Sequence, residues 1–486
     1  MNFDKIAETA ITNGPFADDW QSLSAFQPPS WLRGGKLGIF IHWGIYSVPA
    51  YAHEWYARNM YIQGGHEFEH HVKTYGPHKQ FGYKDFIPMF KAEKFNPKQW
   101  AEAFFNAGAK YVVPVAEHHD GFQMYQSSLS RWNSAEMGPG RDVLDELLNA
   151  CDKRGLIRCL SSHRAEHWWF LSHGREFESD IKEPERDDLY WPSMPEAPNQ
   201  DIYSKPIPSA EFLRDWFNRC VELVEIAKPR MVYFDWWVKH HSFKPLLRRF
   251  IAYYYNRAAE WGFEPAVAIK DDGVPFGCGL PEMERGGFAE AKPYLWQACT
   301  STARNSWCYT EQNEYKSPEE IIQNLIDVVS KNGVLLLNVG PKADGTLPEQ
   351  DAAILREVGK WLKINGEAVY GSSPWKIAME GAVNVKGTGF SEGEMAYTSE
   401  DLRFTVREGK IYATVMKCPE DGKVTIKSLA GLDENGQHAF GGMIEKVRLL
   451  GFEDKPLHWK VDGEGLQITF TGVKSEVPVV LEVTTG

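Results

Sequence analysis

Asp235 lies within the short apolar run RMVYFDWW (230–237) and is followed at once by Trp236 and Trp237. A carboxylate at the end of a buried strand, ringed by aromatic side chains, is a candidate nucleophile or base. Hydrolysis of a glycosidic bond needs a second carboxyl group to protonate the leaving oxygen. The segment PEMERGGFAEAKP offers Glu282, Glu284 and Glu290, read here as a loop on the same rim. Histidines gather at similar places: His42 in LGIFIHW (37–43), His118 and His119 in YVVPVAEHH (111–119), and His163 in LIRCLSSH (156–163). Glu54 and Trp55 follow His42 by a dozen residues, and an imidazole with a carboxylate can donate to and accept from neighbouring sugar hydroxyls. Vicinal histidines also ligate zinc. Metal barrels of the amidohydrolase kind, however, usually carry His-x-His on the first strand, where this chain has His42-Trp43-Gly44. A metal-dependent barrel hydrolase is therefore the alternative, and the expectation is no metal and no cofactor.

These residues need strands to present them. The runs above, together with AVAIKDD (266–272), PYLWQACTS (293–301) and VLLLNVG (334–340), have the length and continuous apolar character of buried parallel strands. Amphipathic stretches separate most of them, such as PKQWAEAFFNAG (97–108) and SPEEIIQNLIDVVSKNG (317–333). The second has Ser317 as N-cap, Pro318 in the first turn and Gly333 at the end. The alternation through about residue 370 predicts an α/β fold, a TIM-like (β/α) barrel, with a doubly wound open sheet as runner-up. In a barrel the C-terminal strand ends share one rim, which would bring His42, His118, His119, His163, Asp235, Asp271 and Asp272 together. After GEAVYGSSPW (366–375) come short alternating segments broken by Gly, Asp and Pro, the pattern of an antiparallel β-sandwich. The expected domains are 1–370 and 371–486.

Composition narrows the function. The chain has 53 Lys and Arg against 66 Asp and Glu, a net charge of −13, which argues against a partner held by its phosphate backbone. No stretch has the apolar length of a membrane span or a signal peptide, so a soluble, cytoplasmic protein is expected. The seven cysteines are odd in number and none has CxxC spacing, which suits free thiols in a reducing compartment. Of the 18 Trp, only Trp459 follows Trp375, so the indoles that could stack on sugar faces belong to the first domain.

Taken together, GKLGIFIHWGIYSVPAYAHEWYARNMY, AEHHDGFQMYQSSLSRWNS with GPGRDV, VYFDWW, WQACTSTARNSWCY and NGVLLLNVGPKADGTLPEQDAAILREVGKWLKINGEAVYGSSPW resemble the α-L-fucosidases of glycoside hydrolase family 29. The matches fall in the family's order across most of residues 30–375. The resemblance implies a catalytic barrel followed by a β-sandwich, acting on terminal α-L-fucosyl groups by retaining double displacement without a cofactor. It implies Asp235 as nucleophile, with His42, Glu54, Trp55, His118, His119, Tyr233 and Trp307 around the fucose. Some members carry the acid/base as the Glu of a Trp-Glu pair ahead of the CTS motif, where this chain has Trp296-Gln297. Members with Trp-Gln keep an ERG element upstream, so the resemblance points to Glu284, with Glu282 and Glu290 behind it. An Arg that contacts the sugar in some relatives falls near Lys270, which keeps the charge but loses the bidentate fork and is left out of the site. The rivals are a fucose-binding, lectin-like barrel without turnover and a glycosidase for another sugar. The long segment 171–209, rich in Glu, Asp and Pro, is expected to cover the pocket or touch a neighbouring subunit, and the resemblance implies a homo-oligomer.

Overall fold

The computed structural model describes residues 2–385, 392–393, 395–432 and 435–486. Eight parallel strand positions close into a barrel: β1 (Leu37–Ile41), β2 (Tyr111–Glu117), a third strand broken into β3 (Ile157–Arg158) and β4 (Leu160–Ser162), β5 (Met231–Phe234), β6 (Ala266–Lys270), β7 (Leu280–Glu284), β8 (Trp296–Ser301) and β9 (Gly333–Val339). Closure is direct, because β1 pairs with both β2 and β9: Ile39 faces Val112 on one side and Leu337 on the other. Every residue of β1, β2, β6 and β9 is buried, as continuous apolar runs require when both sheet faces are covered.

Among the helices that cover the outside are, in chain order, Pro97–Asn106, Val143–Arg154, Ala210–Ala227, Lys244–Trp261, Pro318–Ser330 and Glu349–Asn365. Their ends are written in the sequence. Ser317 caps the fifth through a reciprocal capping box with Glu320, and Asn96 and Ser209 cap the first and third. Residues 271–279 and 285–295, on either side of β7, contain no helix.

This corrects the reading of PEMERGGFAEAKP as a loop. Leu280–Glu284 is the sixth of the eight barrel strands in chain order, parallel to β6 through Ile269–Pro281 and to β8 through Met283–Ala298. It lacks a continuous apolar run because side chains alternate across a strand. Glu282 and Glu284 reach groups from neighbouring strands, Tyr233 and Lys270, while Pro281 and Met283 take the opposite face and are only half-buried. Without flanking helices it carries none of the usual barrel-strand punctuation.

From Ser373 the chain builds a five-stranded antiparallel sheet, in spatial order Ser373–Glu380, Leu402–Arg407, Lys410–Val415, Val479–Thr485 and Ile444–Leu449. A three-stranded sheet of Lys423–Ile426, Gly465–Phe470 and Leu457–Asp462 accompanies it. A second apolar core, including Phe404, Val415, Ile426, Ile468 and Leu481, draws on both. The helix Pro318–Ser330 packs against the first two strands of the larger sheet. There the fully buried Arg403 bonds Asp327 at 2.6 Å, and Asp327 also takes Lys331 at 2.7 Å. A buried ion pair costs desolvation, so breaking this one would leave a charge stranded at the domain junction.

Gly359 of the last barrel helix lies against the end of the first one, where a methyl group would overlap the carbonyl oxygen of Asn106. Gly359→Ala is expected to cost about 1–3 kcal/mol through overpacking, measured as a lower urea midpoint with an unchanged m-value.

Candidate active site

The C-terminal rim opens into a cavity of about 750 Å³. Its lining includes Asp235, Glu284, His42, Glu54, Trp55, His118, His119, Tyr233 and Trp307, brought from strands and loops spread over more than 250 residues of sequence. Glu282 also lines it. Glu290 does not; it is exposed on the connection after β7. Gln297 is buried in β8, where its side-chain oxygen accepts from Tyr111 Oη at 3.1 Å.

Asp235 follows the last residue of β5 and is buried. Its Oδ1 accepts from the Trp236 backbone N–H at 2.8 Å and from Lys270 Nζ at 2.6 Å; its Oδ2 faces His163 Nδ1 at 2.9 Å and His119 Nε2 at 3.4 Å. Burial alone would raise this carboxyl group's pKa, but the Lys270 ammonium and the His163 bond overcome it and hold it well below the usual range. Glu284 closes β7, and its Oε2 lies 2.5 Å from the same Lys270 Nζ. Burial raises its pKa, Lys270 works against that rise, and the charge on Asp235 adds to it, leaving it above the ordinary value. Two neighbouring carboxyl groups are thus pushed apart by environment, one toward permanent ionisation and one toward holding a proton. Since each bonds one ammonium, the two oxygens are no more than about 5 Å apart, short of the roughly 6.5–9.5 Å carboxyl spacing of inverting glycosidases.

The imidazoles are set by what they touch. His42 Nδ1 is 2.7 Å from Asn338 Oδ1, which also accepts the His42 backbone N–H at 3.2 Å. Because Asn338 Nδ2 donates to Ser301 Oγ and to the Trp307 carbonyl, the amide orientation is fixed. His42 therefore donates through Nδ1 and keeps Nε2 as an acceptor. Burial holds His42 and His118 neutral, and neighbouring imidazoles, His163 and His119 respectively, push the same way. Burial also disfavours charge on His119, but the Glu166 carboxylate 3.4 Å from its Nδ1 reverses the outcome and raises its pKa. His118 Nδ1 has no hydrogen-bond partner among the described residues, an unmet need that a ligand hydroxyl would answer.

Glu54 is held by the Trp307 backbone N–H at 3.0 Å. Trp55 meets His119 edge to face with ring centroids 5.5 Å apart. Tyr233 donates to Glu282 Oε2 at 3.2 Å, and burial keeps its hydroxyl protonated and pushes Glu282 up to about 7. Phe40, Trp236 and Trp307 add apolar faces.

His42, His118 and His163 each bring one nitrogen within 4.8 Å of the others, as do His119, His163 and Asp235. Both ring nitrogens of His163 already face partners, Asp235 at 2.9 Å and Ser161 Oγ at 3.0 Å. A cation in either set would have to take over one of those bonds. The donor set fits hydroxyl recognition better.

Two participants escaped the sequence analysis. Lys270 was set aside for lacking a guanidinium fork, although a lysine ending the wholly apolar AVAI run is itself a signal. His163 was noted as a strand end but not assigned to the sugar site. The segment 171–209 does not line the cavity, so of its two expected roles that of a cover finds no support here. It braces the wall from behind: its Glu196 bonds Arg58 at 2.9 Å, and the Arg58 guanidinium stands 5.6 Å over the Trp55 ring.

A parallel barrel with paired carboxyl groups at its C-terminal rim, among imidazoles and indoles, is the layout of a retaining glycoside hydrolase. The α-L-fucosidase family profile matches residues 5–367, and the α-L-fucosidase C-terminal domain profile matches residues 396–482. The chain is 31% identical over 470 residues to the tissue α-L-fucosidase of Rattus norvegicus, covering 93% of this chain and 88% of that one. It is 28% identical over 487 residues to the plasma α-L-fucosidase of Homo sapiens, covering 95% and 88%. The structure matches Thermotoga maritima α-fucosidase in complex with a mechanism-based inhibitor with a TM-score of 0.75 at 29% identity, covering 96% of this chain and 100% of that one. The chain belongs to the α-L-fucosidase family.

Replacing Lys270 by Met removes the charge that lowers both carboxyl groups. With Asp235 required ionised and Glu284 required protonated, the two groups would set the acidic and alkaline limbs of the pH profile of kcat/KM, and both limbs are expected to move to higher pH. The maximum is expected to fall about tenfold or more, as loss of a charge-assisted bond of roughly 1.5–3 kcal/mol implies.

Proposed function

We propose that the protein hydrolyses terminal α-L-fucosyl groups with retention, Asp235 acting as nucleophile and Glu284 as acid and then base. The observation that carries this reading is the single ammonium of Lys270 lying between the two carboxyl groups. Asp235 Oδ attacks the anomeric carbon as the bond to the leaving oxygen breaks, and Glu284 passes its proton to that oxygen. In the second half Glu284 takes a proton from water, the hydroxide oxygen bonds the anomeric carbon, and Asp235 departs as carboxylate.

Charge balance follows. Before attack the trio holds ionised Asp235, protonated Glu284 and cationic Lys270. In the ester intermediate Asp235 is neutral and Glu284 ionised, so one carboxylate still faces one ammonium. Lys270, already in reach of both, can follow the charge without leaving a buried ion unpaired.

The sugar pocket supports the substrate class. His42 Nε2, His118, His119, Glu54 and the Tyr233 hydroxyl offer the mixed donors and acceptors that ring hydroxyls need. Trp55, Trp236, Trp307 and Phe40 give apolar surface that suits the methyl group fucose carries where other sugars have a hydroxymethyl. A fucosylated oligosaccharide or glycoside is the partner this site calls for. A reducing, cytoplasmic location is supported by seven unpaired cysteines, six of them buried.

With 4-nitrophenyl α-L-fucoside, Asp235→Gly is expected to lose at least about a thousandfold in kcat. Azide should restore it and give the β-fucosyl azide, since the small anion enters from the face the carboxylate vacates. Glu284→Ala is expected to lose roughly 10²–10⁴-fold and to yield the α-fucosyl azide through the intact intermediate. An inert wild type would leave a sugar-binding barrel instead, and the α azide from the Asp235 variant would reverse the assignment. By proton NMR, the first sugar released by the wild type should be α-L-fucose.

A further inference from the structure

Glu284 depends on the residue that follows it. Arg285 leaves β7 with φ +44°, a left-handed backbone that a non-glycine residue adopts at some cost and holds only when its surroundings impose it. Its N–H donates to the Cys299 carbonyl on β8 at 2.8 Å, and its own carbonyl accepts the Glu392 N–H at 2.9 Å. The guanidinium donates to the carbonyls of Ala303 and Ser306 at 3.2 Å, ion-pairs with Glu392 Oε2 at 3.4 Å, and lies 4.6 Å over the ring of Trp307.

Glu392 comes from the other domain's side of the chain, in the stretch between the two family-domain matches. Its Oε1 accepts from Thr300 Oγ1 at 2.5 Å, on β8, and from Lys316 Nζ at 2.6 Å. Among the described residues the charged groups facing this carboxylate are Arg285 and Lys316, both largely buried, and without it two cations would be left close together with little water. Every one of these contacts falls on the rim flanking Glu284 or on the loop bearing Trp307.

We propose that Glu392 is a positioning residue for catalysis, completing from outside the barrel the turn that aims the Glu284 carboxyl group. This rests on the assignment of Glu284 as proton donor. A displaced donor slows only those substrates whose leaving oxygen needs a proton, whereas general damage to the fold or the sugar pocket slows all of them.

The test compares wild type, Glu392→Ala and Glu392→Gln on 2,4-dinitrophenyl α-L-fucoside, whose leaving group departs unaided, and on phenyl α-L-fucoside, whose leaving group requires protonation. Thermal melting is followed for each, and if the Ala variant does not fold, the Gln variant, which keeps the length and the Thr300 bond, carries the comparison. The expected result is kcat/KM within about twofold of wild type on the dinitrophenyl substrate and a loss of about tenfold or more on the phenyl substrate, smaller for Gln than for Ala. Equal losses on both substrates, or no loss on either, would overturn the inference. Failure of the wild type on both would overturn the fucosidase reading and this inference with it.

Discussion

The site is organised around one buried ammonium. Lys270 stands at the end of a wholly buried strand and bonds Asp235 and Glu284 at once; its charge holds Asp235 well below the usual carboxylate range and restrains the rise that burial and the Asp235 charge impose on Glu284. A lone lysine so placed would lose its proton, because burial disfavours the charged form. Here the carboxylates prevail, and its pKa stands well above the ordinary value. The barrel makes this possible by setting β5, β6 and β7 side by side, so that the ends of three adjacent strands deliver an acid, a base and an acid to one point.

Around that point the rim is held by a chain of oriented groups. Asn338 on β9 fixes His42 on one side and the Trp307 carbonyl on the other, Trp307 in turn holds Glu54 through its N–H, and Arg285 lies across the Trp307 ring. The His119–Glu166 and His163–Asp235 pairs complete the opposite wall. His42, Glu54, His119 and Asp235 therefore each have a partner in the protein that orients them, which limits the reorganisation left for the moment of reaction.

How much of this was legible in the sequence follows the same physics. Strands buried on both faces announce themselves as apolar runs ending in polar residues, and those runs placed His42, His118, His119 and Asp235 at one rim. The motifs supplied the rest of the sugar pocket. The strand Leu280–Glu284 is hidden because Glu282 and Glu284 break its apolar pattern and no helix flanks it, so the carboxyl group proposed as acid/base reads as part of a loop. Lys270 was visible but undervalued, since its meaning depends on a neighbour 14 residues away that only the barrel's register brings to it. The bracing role of 171–209 had no periodic signal at all; it is made of single contacts such as Arg58 to Glu196.

The central claim is that Asp235 becomes covalently bound to the sugar. It is tested most directly by incubating the protein with 2-deoxy-2-fluoro-α-L-fucosyl fluoride, whose fluorine slows breakdown of the ester, and mapping the modified peptide by mass spectrometry. The account predicts one fluorofucosyl group per chain, on the peptide containing Asp235 and on that side chain. A label on Glu284 or Glu282, or unlabelled protein that still turns over the reagent, would contradict it.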